Sequence, residues 1–193
     1  RRLGFSEVIE KSNLGLQDFV ATLKSFGDLT QDSDWALIYY SGHAVAFEGV
    51  NYLLPVDAKL ERPSHVGEEA VAIDRVFARL ASTRELRLVL VDAARPNSFA
   101  SGALGGLAGM VPKDGVIVDV AAREGQKAED GNLEHSPYTH ALLEYIDKPG
   151  MDVRDMLRSV RERVMAITTN RQEPVTYGTL TSGPGHFFKP ATP

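Results

Sequence analysis

The sequence predicts an α/β fold, a sandwich of helices on a mainly parallel sheet, and three observations carry that prediction. Apolar runs of strand length alternate along the 193 residues with segments of helical period, the pattern of a parallel sheet with crossover helices. Two of the runs, Trp35–Tyr40 and Leu86–Val91, are nearly continuous in apolar residues, as strands covered on both faces are. Each then leaves its strand for a short segment of polar or small residues, Ser41-Gly42-His43 in one case and Asp92-Ala93-Ala94-Arg95 in the other.

In chain order, Arg1-Arg2-Leu3-Gly4 reads as the tail of a helix with a glycine stop, and Phe5–Ile9 as a first strand. Leu16, Phe19, Val20, Leu23 and Phe26 fall on one helical face and predict a helix over Leu16–Phe26. Trp35–Tyr40 and Leu86–Val91 are expected in the centre of the sheet, side by side. Between them, the Glu48-Gly49 turn signal predicts a small hairpin within Val45–Val56, which keeps His43 on a rim. Asp74 is placed to cap a helix reaching Leu80. Ser98–Gly109, rich in Gly, Ala and Ser, reads as a loop or processing-type linker. Val116–Ala121 is a further strand, and Pro137–Ile146 and Asp152–Ile167 are two further helices, the second capped by Asp152.

Composition narrows the function. With 43% apolar and 24% charged residues the chain suits one globular domain. A net charge of −5 and no basic run longer than Arg1-Arg2 give no electrostatic footprint for nucleic acid. No stretch approaches the roughly 18–20 consecutive apolar residues of a membrane span, so no membrane partner is expected. The chain has no cysteine, which excludes disulfides and thiolate metal sites. His65, His135, His140 and His186 lack metal-ligand spacing, no calcium-loop pattern occurs, and no cofactor or metal is expected.

The chemistry-bearing residues gather at strand ends. Ligands of parallel sheets bind beyond the carboxyl ends of strands, and His43 and Ala94 each stand just past such an end. Strand alternation puts Asp92 on the side of Ala94. Serine chemistry through Ser98 and His43 is disfavoured, because Ser98 lies four residues past Ala94 in a loop with no strand end to hold it.

Residues 38–58, IYYSGHAVAFEGVNYLLPVDA, and 88–97, LVLVDAARPN, resemble the bacterial caspase-like branch of the caspase and metacaspase clan, and SPYTHALLEYI at 136–146 and DMLRSVRERVMAIT at 155–168 extend the resemblance over nearly the whole chain. The resemblance implies a caspase-like three-layer α/β/α sandwich and cysteine endopeptidase chemistry. By it, His43 is the general base, and Ala94 occupies the place of the nucleophilic cysteine. The backbone N–H groups of Ala94 and Ala44 would bind the oxyanion, although the family most often has glycine after the histidine. Ser41 and Asp92 would line the pocket for the substrate's P1 residue, and the carboxylate favours Arg or Lys there. Glu124, in a segment that would border the substrate groove, is a minor candidate for the same pocket. The resemblance also divides the chain into a larger part, residues 1–97, a linker, 98–112, and a smaller part, 113–193.

As written, the site has a base without a nucleophile. Either a peptidase has been inactivated by a cysteine-to-alanine change, or a natural relative binds without cutting. The expected partners are a peptide or protein substrate and an N-terminal fragment that completes the sheet, because relatives carry a strand between those matching Phe5–Ile9 and Trp35–Tyr40. The cytoplasm is the favoured compartment.

Overall fold

A computed structural model describes residues 3–93, 107–112, 115–124, 126–131, 134–179 and 185–190. Helix α1 (Leu16–Leu29) leads into strand β1 (Trp35–Ser41), the hairpin β2 (His43–Phe47) and β3 (Val50–Leu54), and a 3-10 turn at Pro63–His65. Helix α2 (Val66–Glu69), the short strand β4 (Val71–Ala72) and helix α3 (Ile73–Ala78) follow, then β5 (Leu86–Asp92) and β6 (Val116–Val120). Helices α4 (Pro137–Tyr145) and α5 (Val153–Ile167) and the strand β7 (Val175–Tyr177) complete the described elements.

The main sheet runs β1-β5-β6-β7, with β1, β5 and β6 parallel and β7 antiparallel to β6. A second, antiparallel sheet of β2, β3 and β4 stands beside it. Side chains of β5 alternate between two cores, as a strand buried on both faces must. Val89 and Val91 pack toward α1 and α3 with Leu23, Val76 and Phe77, while Leu86, Leu88 and Leu90 pack toward α4 and α5 with Tyr138, Met156 and Val160. The architecture is therefore the expected three-layer α/β/α sandwich.

β1 and β5 are neighbours in register from Trp35 opposite Leu86 to Ser41 opposite Asp92, as expected. Two expectations fail. β1 is not central: among the described strands it is the edge, and its half-buried positions reflect that. Phe5–Ile9 pairs with no strand; Val8 and Ile9 stay 45% and 38% exposed, and only Leu3 and Phe5 reach the core, Phe5 against Phe188 at 5.9 Å. β-branched and aromatic residues make a segment fit for a strand, but a ladder needs a partner edge within hydrogen-bonding reach, and no described strand pairs with this segment.

Asp74 does not cap α3. It sits inside the first turn, with Ala72 at the cap position and no side-chain capping bond. Asp152 does cap α5 through Arg154 N (2.9 Å), and its other oxygen accepts from His186 N (2.9 Å), which ties residues 185–190 to the same helix end. The linker is fixed at its far end: Asn51, only 3% exposed on β3, bonds both Ala108 N (2.8 Å) and Ala108 O (2.9 Å), and Leu107 is buried beneath. Residues 98–106 lie outside the described residues.

Candidate functional site

The hairpin fixes His43. Its turn residues Glu48 and Gly49 both have positive φ (50° and 78°), the type I′ geometry that suits the twist of two paired strands. A two-residue turn makes Phe47 and Val50 a hydrogen-bonded pair, and alternation down the ladder makes Ala44 and Leu53 a pair without mutual hydrogen bonds. The Ala44 N–H therefore points away from β3, although the Ala44 side chain is completely buried. His43 begins the strand and is exposed, on the rim as expected.

Tyr40 clamps this corner to β1. Its hydroxyl donates to the carbonyls of His43 (2.7 Å) and Leu54 (3.0 Å), and its ring stacks on Phe19 at 5.8 Å. Burial pushes the phenol up to about 12, so it remains a donor at neutral pH. Gly42 is required beside it, since a Cβ there would stand 2.7 Å from the Tyr40 oxygen. Gly42 N donates to Asp92 O at 3.3 Å, joining the histidine turn to the end of β5.

Asp92 is 7% exposed, and its Oδ2 accepts from Ser136 Oγ (2.5 Å) and Thr139 Oγ1 (2.6 Å), with Tyr39 Oη 3.3 Å from the same oxygen. Ser136 is also the N-cap of α4, accepting from Thr139 N at 3.0 Å, with Pro137 at the first helical position. The carboxylate thus rests on the positive end of a nine-residue helix. Ser41 lies opposite Asp92 on β1 and is exposed.

Ser41 and His43 line a cleft of about 610 Å³, and the described residues lining it do not include Asp92. The cleft is bordered by every residue from Leu37 to His43, inward- and outward-facing alike, so it follows the open edge of β1. Ala94, together with Arg95, Asn97 and Ser98, lies outside the described residues. Glu124 is exposed beside Gly109, and its charge adds to burial in raising the Tyr177 phenol. Among the described residues no three His, Asp or Glu side chains gather as a metal site.

Ser136, Thr139 and the clamp of Tyr40 were not singled out from the sequence. A serine-proline pair opening an apolar helical segment signals an N-cap, yet nothing local says that the cap will reach a carboxylate 44 residues earlier.

A family model described as the caspase domain matches residues 1–183. Among solved structures, the chain resembles the crystal structure of caspase-1 from Spodoptera frugiperda, with a TM-score of 0.67 and 15% identity over 98% of this chain and 77% of that one. No curated protein matches the sequence.

Proposed function

The chain belongs to the caspase domain family, and from that premise we propose that it carries the site of a cysteine endopeptidase of the metacaspase-like, bacterial branch, in a form without its nucleophile. The observation that carries the reading is one corner of the fold: an exposed His43, an outward-directed Ala44 N–H and the Ser41–Asp92 pair stand together where parallel β1 and β5 end. The larger part of the domain, residues 1–97, supplies that corner, and the smaller part, 113–193, supplies the helix under Asp92.

With cysteine at position 94, His43 would take the thiol proton and the thiolate would attack the scissile carbonyl. The N–H groups of Ala44 and residue 94 would hold the oxyanion, at about 3–4 kcal/mol each. The imidazolium would then protonate the departing amine, leaving a thioester that water hydrolyses. The methyl group of Ala94 has no proton to give and no lone pair to attack with, so the chain as written is inactive. Asp92 and Ser41 would favour Arg or Lys at P1, a cationic group answering a carboxylate in a largely desolvated place.

The test is an Ala94→Cys variant assayed on reporter peptides with Arg, Lys or Asp at P1. Cleavage after Arg and Lys, reduced about 10²–10⁴-fold by His43→Ala, supports the reading; a folded Ala94→Cys protein that cuts nothing overturns it. The total absence of cysteine and Ala44 in place of glycine favour a second reading, a natural pseudopeptidase that holds a peptide or partner in the same groove. That inert result would select it.

The open edge of β1 supports a further partner. An extended apolar segment from an N-terminal fragment, laid between residues 9–14 and β1, would gain a ladder with β1 and contact with Ile9, Phe19, Phe26 and Ile38 along the cleft. We place the activity in the cytoplasm, the compartment that keeps a catalytic thiol reduced.

A further inference from the structure

We propose that Ser136, Thr139 and Tyr39 are positioning residues for the P1 pocket, fixing Asp92 so that one carboxylate oxygen is occupied and the other is left to receive a cation end-on. The inference rests on the reading of Asp92 as a P1 residue and adds what sets its selectivity.

Proton bookkeeping gives the first step. Ser136 Oγ accepts from Thr139 N, so its own proton is directed to Asp92 Oδ2. Thr139 Oγ1 donates to the same oxygen, so in its 2.5 Å contact with Tyr39 Oη the phenol must be the donor. Burial pushes the Tyr39 phenol up, which keeps that proton in place at neutral pH. Ser136 and Thr139 therefore both direct their protons at Asp92 Oδ2, and the Tyr39 proton backs the Thr139 hydroxyl.

The second step is capacity. Two short bonds, at 2.5 and 2.6 Å, fill the two lone pairs of Oδ2. Among the described residues, every donor to this side chain goes to Oδ2 and none to Oδ1. A guanidinium normally exceeds an ammonium by taking both oxygens of a carboxylate. With Oδ2 occupied, that advantage is lost, and the pocket reads positive charge without distinguishing its shape.

Because Ala94 leaves a bound peptide uncut, the chain as it exists can be titrated calorimetrically with three peptides differing only at P1: Arg, Lys and norleucine. We expect Arg and Lys to bind within about threefold of each other and at least about tenfold more tightly than norleucine, the equivalent of about 1.4 kcal/mol. Thr139→Val should shrink the advantage over norleucine to less than about threefold and leave norleucine binding itself unchanged. Thr139→Ser should restore that advantage. Tyr39→Phe, at a position 40% exposed and therefore safe for folding, should produce a smaller change in the same direction.

Parent-like ratios in Thr139→Val and Tyr39→Phe overturn the inference while leaving Asp92 as the P1 residue. If Thr139→Val does not fold, parent-like values in Tyr39→Phe alone overturn it. A parent that binds norleucine as well as Lys overturns the P1 reading and this inference together. A strong preference for Arg over Lys in the parent also overturns the end-on geometry.

Discussion

At the scale of single residues, the second buried carboxylate is bonded differently from Asp92, through both of its oxygens. Asp119 on β6 is 1% exposed, with Tyr138 Oη at 2.6 Å on one oxygen and Thr176 Oγ1 at 2.5 Å on the other. Burial pushes its carboxyl up to about 7 from 3.8, although both hydroxyl bonds oppose the shift. Between those two values the folded protein keeps a proton that the unfolded chain has lost. The contribution of this group is therefore fully present below about pH 4 and is lost progressively as pH rises to about 7. Asp119→Asn should remove that slope. In urea titrations from pH 4 to 7, the parent should lose stability relative to the variant across the window and hold a constant difference above it. A pH-independent difference throughout would show that Asp119 does not titrate in this range.

At the scale of elements, the hairpin presenting His43 rests on a turn with one unfavourable residue. Gly49 suits its positive φ, but Glu48 holds φ 50° with an ordinary side chain, which costs about 1 kcal/mol relative to a residue at ease there. Glu48→Asn should stabilise the protein by roughly 0.5–1 kcal/mol, since Asn-Gly is the favoured type I′ pair, and Gly49→Ala should destabilise it by about 1–2 kcal/mol. Denaturant midpoints measure both. No change in either would mean that the turn relaxes to another geometry in solution. The strand Val175–Tyr177 ends on Gly178 (φ 90°), where a Cβ would collide with the Val116 carbonyl, so that residue sets how closely the last strand approaches β6.

At the scale of the whole molecule, β1 is an unpaired edge among the described strands, with apolar residues along the cleft beside it, the kind of edge that associates unless another strand covers it. If an N-terminal fragment supplies that strand, the 193-residue chain alone should associate in light scattering, and co-expression with such a fragment should give a discrete complex with a higher melting temperature. A stable, monodisperse chain without added peptide would remove this partner from the account.

The alternation of apolar runs with helical faces, the glycine in the hairpin turn, the adjacency of the two most apolar runs and the Asp152 cap were legible because each depends on neighbours a few residues away. The same locality put His43 at the rim next to a strand end, and the motifs between residues 38 and 168 pointed to the caspase domain. What the sequence misassigned was decided by partners distant along the chain. Phe5–Ile9 has the composition of a strand but pairs with no described strand, and Trp35–Tyr40 is apolar enough for a sheet centre yet stands at the rim of the described sheet. Asp74 has the residue type of a cap but stands two residues past the cap position, inside the first turn. The hydroxyls around Asp92 come from β1 and from a helix 44 residues onward. Hydrogen-bond capacity at a buried carboxylate is settled only when the strand and the helix end are packed together, because burial removes water as the alternative partner.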